Sequence, residues 1–411
     1  MLQPGNSTAS RSRLLSGGMI LAALAAVLTA FAVLAAPARS ADPYTVESNI
    51  PYAPANAQAG SNLLDVYVPK ADSAKPRPVF VWIHGGGWFT GDKAGGTMEY
   101  KAKTLVDNGF IFVSVNYRLS PDLAGPKALS KGRLIFPAHY LDAARALGWV
   151  NKHIGQYGGN PKKMVIGGDS AGGQISSLLA TKPAFLKARG MSTRQIKGVL
   201  ALDAVGYDVA RMMTPAYRRI NSGFQRMMFN AFGTPAEEKR NHRWAAASPI
   251  NFAGRTDPPI FFVVPTTSPD RWVDAHVMAR KLGQRLGLVS HRVKTEHAGV
   301  VPLLGNPSGD MGVTAPLMRF AHAAVNPVRY TPTVRGTRIV RAGRDGYGTF
   351  RLKFSSKPAA RALICQVDRG VQSVCPVAMK SPPGLHRLRV WAYGNTGRAA
   401  GLTTVKLRVI R

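Results

Sequence analysis

The stretch "MVIGGDSAGGQISSLLA", Met164–Ala180, is an apolar run that breaks into Gly167, Gly168, Asp169, Ser170, Ala171, Gly172 and Gly173 before a helical pattern begins. An apolar strand that passes through a glycine-rich turn into a helix is the repeating step of an α/β sheet. Glycine and alanine around the serine leave its hydroxyl uncrowded on a sharp turn, which makes Ser170 of this G-x-S-x-G pattern a candidate nucleophile. The bland alternative is a helix N-cap. The rest of the chain decides between them.

On either side of that stretch, apolar strands alternate with amphipathic segments. "LLDVYVP", "PVFVWIHGGG", "FIFVSVNYRL" and the helix-like "YLDAARALGWVNKHI" precede it; "IKGVLALDAVGYD", "PPIFFVVP", the helix-like "DAHVMARKLGQRLG" and "HRVKTEHAGV" follow. Continuous apolar strands separated by helices predict an α/β fold with a doubly wound, mostly parallel sheet covered on both faces. Two segments break this rhythm. Residues 208–249, rich in Met and Phe, form an insertion that reads either as helices packing Met212, Met213, Met227, Met228 and Phe229 into the core, or as a cap whose soft side chains shape an apolar pocket. From residue 327 onward short alternating strands such as "GTFRLKFSS", "ALICQVD", "HRLRVWAYGN" and "TTVKLRVIR" predict a small all-β sandwich.

A serine hydroxyl needs a base to take its proton, a group that orients the base, and donors for the developing oxyanion. His84-Gly85-Gly86-Gly87-Trp88 follows directly on the strand "PVFVWI", so it puts backbone N–H groups at a strand's C-terminal end, where open α/β sheets bind ligands. Of nine histidines, His84 belongs to that loop, His139 and His153 precede the serine, and His386 lies in the β-rich segment. His297, His291 and His276 follow it. No HExxH, EF-hand loop or phosphate-binding glycine pattern occurs, so neither a metal nor an organic cofactor is expected.

The segment from Asn62 to about Val325 resembles the α/β-hydrolase superfamily, in its esterase and lipase branch with an HGGG loop and a GDSAG elbow, as in hormone-sensitive-lipase-like and bacterial feruloyl-esterase-like proteins. "LDVYVP", "VSVNYRLSP", "FPAHYLDAARALGWV", "QYGGNPKKMVIGGDSAGG" and "WAAASPI" carry the likeness. The resemblance implies a helical cap at about 208–249 and a triad in chain order serine, acid, histidine. It points to His297 as the base and to Asp270 in "PTTSPDRWVD" as the acid, with Asp274 as the fallback. The implied oxyanion donors are the amides of Gly85, Gly86 and Ala171, and Trp88, Met227 and Met228 are the candidate substrate contacts. The expected function is a secreted carboxylic-ester hydrolase working through an acyl-enzyme. Amide or formamide hydrolysis on the same scaffold, and a non-catalytic envelope-binding protein whose acid has been lost, are the alternatives, and the unusual "PTTSPDRW" turn separates them.

A chain of 411 residues that is 45% hydrophobic has room for one large domain and a small second one. Its formal charge is +33, from 54 Lys and Arg against 21 Asp and Glu, and from Thr331 onward 16 Lys and Arg meet Asp345 and Asp368 alone. Such a field attracts anionic polymers or membrane surfaces. With no zinc-finger, RNP-type or basic-zipper pattern, an anionic cell-envelope polymer is favoured over nucleic acid. Arg11 and Arg13 before the apolar run from Met19 to Ala36, with Ala36-Pro37-Ala38 or Ala38-Arg39-Ser40 after it, predict a signal peptide at 1–40, a membrane anchor being the lesser reading. The domains expected are then a hydrolase at 41–326 and a basic β-sandwich at 327–411. The latter resembles Ig-like modules of exported bacterial proteins through "ALICQVDRGVQSVCPV" and "GLHRLRVWAYGNTGR", and its two cysteines, Cys365 and Cys375, are expected to form a disulfide.

Overall fold

Strands that are apolar on both faces must be covered on both faces, and the larger sheet is built from them. It comprises β1 Tyr44–Pro51, β2 Leu63–Pro69, β3 Arg77–Ile83, β4 Ile111–Val115, β5 Gly159–Asp169, β6 Ile196–Leu202, β7 Ile260–Pro265 and β8 Ser290–Val293. This computed structural model describes residues 42–121, 129, 133–220 and 222–411; the expected signal sequence lies outside the described residues. The strand order is β1-β2-β4-β3-β5-β6-β7-β8. The β1–β2 and β2–β4 pairs are antiparallel and every later pair is parallel. Every residue of β4 and β7 is buried, as their unbroken apolar runs require. β1 escaped the sequence reading because it is an edge strand with mostly exposed residues and no apolar alternation to betray it.

Helices α1 Met98–Asp107, α2 Ala138–His153 and α3 Ser170–Thr181, together with helices Pro269–Lys281 and Thr314–Val325, surround this sheet. Between β6 and β7 the inserted segment folds into five short helices, Val209–Met212, Pro215–Ile220, Ser222–Phe232, Pro235–Asn241 and Arg243–Ala246. Thr234 and Glu237 close a capping box at the start of the fourth, and Glu237 also pairs with Arg133 at 2.8 Å. Met212, Met213 and Met228 are buried in the core, whereas Met227 and Phe229 stay partly exposed against it. The two readings of this segment thus divide by residue.

Strands alone make up the C-terminal region: β9 Thr331–Arg335, β10 Ile339–Arg341, β11 Gly348–Arg351, β12 Lys353–Lys357, β13 Ala362–Val367, β14 Ser373–Val374, β15 Ala378–Ser381, β16 Gly384–Tyr393 and β17 Ala399–Ile410. A five-stranded sheet in the order β10-β17-β16-β13-β14 and the pairs β11–β15 and β12–β9 enclose a separate core of Val334, Phe350, Leu352, Leu388, Val390 and Leu407. This region packs on the larger one through the turn after β16. Gln284 accepts the Ile260 N–H at 2.9 Å at the foot of β7 and donates to the Thr396 carbonyl at 2.8 Å, while the Arg285 guanidinium covers the Tyr393 ring. Residues 42–411 form one compact unit.

Cys365 and Cys375 are bonded, with Cα atoms 4.8 Å apart. Closing a loop of this length removes unfolded-state entropy worth about 2 to 3 kcal/mol. Replacing both cysteines by serine is therefore expected to lower the unfolding free energy by that amount, read as a lower denaturant midpoint at unchanged slope, and an unchanged midpoint would count against the bond as a stabilising element.

Candidate functional site

The turn between β5 and α3 holds Ser170 at φ +48°, a left-handed conformation rare for a side-chain-bearing residue and a mark of a backbone forced to turn abruptly. The turn can be this tight because its neighbours lack side chains. A Cβ on Gly168 or Gly172 would lie 2.1 or 1.9 Å from the Ile83 carbonyl oxygen at the end of β3. Ser170 heads α3, so the N–H groups of the first helical turn, Ala171 among them, point outward from the helix end.

The Ser170 hydroxyl lies 2.9 Å from His297 Nε2, and His297 Nδ1 lies 2.5 Å from Asp203 Oδ2. The tautomer consistent with this chain has Nδ1–H donating to the carboxylate and Nε2 accepting from the serine. His297 follows β8 and begins a short helix, His297–Val300; its side chain is 39% exposed, so one edge of the imidazole faces solvent. Asp203 directly follows β6, at φ +45°, and is almost wholly buried. Three strands' C-terminal ends thus deliver the three groups to one point.

The acid expected from the sequence is corrected here. Asp270 lies in the first turn of helix Pro269–Lys281 and accepts the Tyr217 hydroxyl at 2.6 Å. Asp274, the fallback, is engaged by Arg211 Nη2 at 2.6 Å, and burial pushes its carboxyl up to about 6. Both carboxylates are held by residues of the inserted helices, and the imidazole contact belongs to Asp203. An acidic residue placed immediately after an apolar strand, as in "VLALD", was the signal available in the sequence. Arg271 was also missed. Its guanidinium contacts Asp203 Oδ2 and lies 2.8 Å from His297 Nδ1.

The loop after β3 is shaped by positive φ at Gly86, Gly87 and Trp88. The Gly85 amide is turned to the Asp169 carboxylate, and a Cβ on Gly85 would meet Asp169 Oδ2 at 2.1 Å. Gly85 is therefore committed to a partner within the protein, and among the described residues the amides of Gly86 and Gly87 have none. Met227 packs over Gly87, where an added Cβ would lie 2.5 Å from its Sδ. Trp88 and Met228, expected as substrate contacts, are instead buried; the Trp88 ring packs edge-on against Phe232 at 4.8 Å. His84 stacks on Tyr117 with ring centroids 4.4 Å apart, and the Tyr117 hydroxyl donates to the carbonyls of His84 and Gly85. Burial lowers the His84 imidazole to about 4, and lowers that of His139, beside Ser120, to about 3. His291 bonds the Met311 carbonyl and His276 is exposed, so neither approaches Ser170. Among the described residues no group of His, Cys, Asp and Glu could hold a metal ion.

Comparison with known proteins identifies the family and the fold. The BD-FAE family model matches residues 64–279, over half of the chain. Probable carboxylic ester hydrolase LipM of Mycobacterium tuberculosis is 28% identical over 289 residues, covering 68% of this chain and 59% of LipM. The chain spans less than two thirds of the length of the curated relatives it matches. Among solved structures, a truncated carbohydrate esterase from gut microbiota superposes with a TM-score of 0.51 at 18% identity, over 70% of this chain and 99% of that one. Brefeldin A esterase, a bacterial homologue of human hormone-sensitive lipase, does so with a TM-score of 0.50 at 20% identity, over 69% and 78%.

The two buried histidines make the protein acid-sensitive. Their folded-state affinities for a proton lie below the unfolded value of about 6.5, so as pH falls from 6.5 towards 4 the unfolded chain binds protons that the native state refuses, and stability drops by about 1.4 kcal/mol per pH unit for each. Urea midpoints measured across that range should decline as pH falls, and His139→Gln should flatten the slope; a slope identical in the variant would remove His139 from this account.

Proposed function

The chain belongs to the BD-FAE family and has the α/β-hydrolase fold, and from that premise we propose that it is a carboxylic-ester hydrolase in which Ser170, His297 and Asp203 form the catalytic triad. The observation that carries this reading is the unbroken chain of hydroxyl, imidazole and buried carboxylate, at 2.9 and 2.5 Å, on the ends of β5, β8 and β6. The rival reading of a hydrolase that has lost its acid rested on the "PTTSPDRW" turn, and a carboxylate supplied from β6 takes away its ground.

In the reaction Ser170 Oγ attacks the ester carbonyl while His297 Nε2 takes its proton; Asp203 holds the imidazole in the tautomer that can accept it and balances the imidazolium that forms. The tetrahedral oxyanion is held by the N–H groups of Gly86, Gly87 and Ala171, all of which are fixed before substrate arrives. His297 then returns the proton to the departing alcohol, leaving an acyl group on Ser170. Water, deprotonated by the same imidazole, releases the acid. Partly exposed Met227, lying over Gly87, gives the acyl side of the site an apolar wall. The disulfide fits an oxidising compartment and with it the export suggested by the N-terminal apolar run.

Turnover of a short-chain chromogenic ester by the purified protein tests the assignment. Ser170→Ala should abolish it, and Asp203→Asn should lower kcat by about 10⁴-fold, because an asparagine fixes the wrong tautomer. Asp270→Asn, which gives up only the Tyr217 bond, should stay within about threefold of the parent. The opposite ranking of the two carboxamide variants would return the acid to Asp270.

A further inference from the structure

The outward face of the C-terminal five-stranded sheet has a composition that folding does not explain. In the β16–β17 ladder Arg387 stands directly opposite Lys406, Arg389 opposite Thr404, Leu385 opposite Arg408 and Trp391 opposite Leu402. Ile339 of β10 continues the row of Arg408. Like charges facing each other across a ladder are destabilising, and among the described residues none of these cations has a carboxylate partner. The acidic residue beside them, Asp368, already has a partner: His386 Nδ1 lies 2.8 Å from its carboxylate and Nε2 2.8 Å from the Pro382 carbonyl, and these two acceptors raise the proton affinity of the ring. That leaves Arg369, Arg387, Arg389 and Lys406 around a cavity of about 290 Å³.

Interleaved with the cations are aliphatic side chains that a soluble surface has no reason to present. Leu385, Leu402 and Ile339 are 67, 55 and 57% exposed on the same face. A soluble polyanion would use the arginines and leave the leucines idle; stacked nucleobases would need exposed aromatic platforms, and of the ladder's aromatic rings Trp391 is half-buried and Tyr393 buried. A phospholipid surface uses both kinds of group, with phosphates taking the guanidinium forks and the aliphatic residues entering the boundary between headgroups and acyl chains.

We propose that the outward face of β10, β17 and β16 is a docking surface for an anionic phospholipid bilayer, with lipid phosphates at Arg387, Arg389 and Lys406 and with Leu385 and Leu402 inserted between headgroups. This gives the basic region a partner whether or not the hydrolase reading holds. Co-sedimentation of the full chain with phosphatidylglycerol-containing vesicles and with pure phosphatidylcholine vesicles at 0.1 M salt tests it; the neutral vesicles measure what the apolar run at 19–36 contributes. Binding to the anionic vesicles should exceed binding to the neutral ones. Arg387→Ser with Lys406→Ser should reduce that excess about thirtyfold. Leu385→Ser with Leu402→Ser should reduce it about tenfold, yet leave binding to soluble polyphosphate unchanged. All four positions are solvent-facing, so thermal midpoint and ester turnover should be retained in both double variants and separate this proposal from the catalytic one. The proposal is overturned if the leucine pair leaves vesicle binding intact, which would make the face a reader of soluble polyanions, or if the cation pair leaves it intact.

Discussion

The closest approach in the site is that of the β5–α3 turn to the end of β3, where the backbones at Gly168 and Gly172 lie so near the Ile83 carbonyl that a methyl group on either would overlap it. Everything that Ser170 needs follows from this contact. It bends the chain sharply enough to hold a serine at positive φ, and it places the start of α3 beside the loop that begins at His84. In the proposed reaction the oxyanion donors are the amides of Ala171, Gly86 and Gly87, none of them a side chain that has to be ordered for the purpose. Because those donors are backbone, they lose no rotamer entropy when charge develops in front of them.

The same approach requires a charge in an awkward place. Asp169 is buried behind the elbow, where desolvation raises its carboxyl and the field of Lys101 of α1 opposes that rise, while burial lowers Lys101 itself to about 8. Lys101 donates to Thr97 and lies over the Trp82 ring at 5.2 Å. With the Gly85 amide also turned to Asp169, this carboxylate joins the elbow to the loop after β3. Removing one partner would leave the other as an uncompensated buried charge, which is costlier than losing a surface pair.

How much of this was readable in the sequence depends on how local each signal is. The elbow and the HGGGW loop announce themselves because tight turns need glycine at fixed offsets, and His297 follows from chain order. Asp203 did not stand out, since the resemblance placed the acid after β7 and two aspartates, Asp270 and Asp274, were waiting there. Which carboxylate reaches an imidazole is settled by three strands and five cap helices folding together; Tyr217 and Arg211, both from the cap, draw the two decoys away. Gly85 and Trp88 failed for a related reason: a motif says that a loop is special, while the direction of each amide and ring is decided by what packs behind it.

Arg271 shows why that difference matters to the chemistry. A guanidinium on Asp203 Oδ2 shares with His297 the same carboxylate oxygen, and in the proposed reaction it stands beside the imidazolium that step would form. Asp203 Oδ1, by contrast, is buried with no hydrogen-bond partner among the described residues. The carboxylate is therefore directed through one oxygen towards two partners, the Arg271 guanidinium and the His297 imidazole. Arg271 neutralises a buried charge beside the imidazole. When the imidazolium forms, Asp203 is already positioned by Arg271 and by the backbone bond from its own N–H to the Val263 carbonyl at 2.7 Å. In the proposed triad the arginine thus contributes a carboxylate that does not have to move.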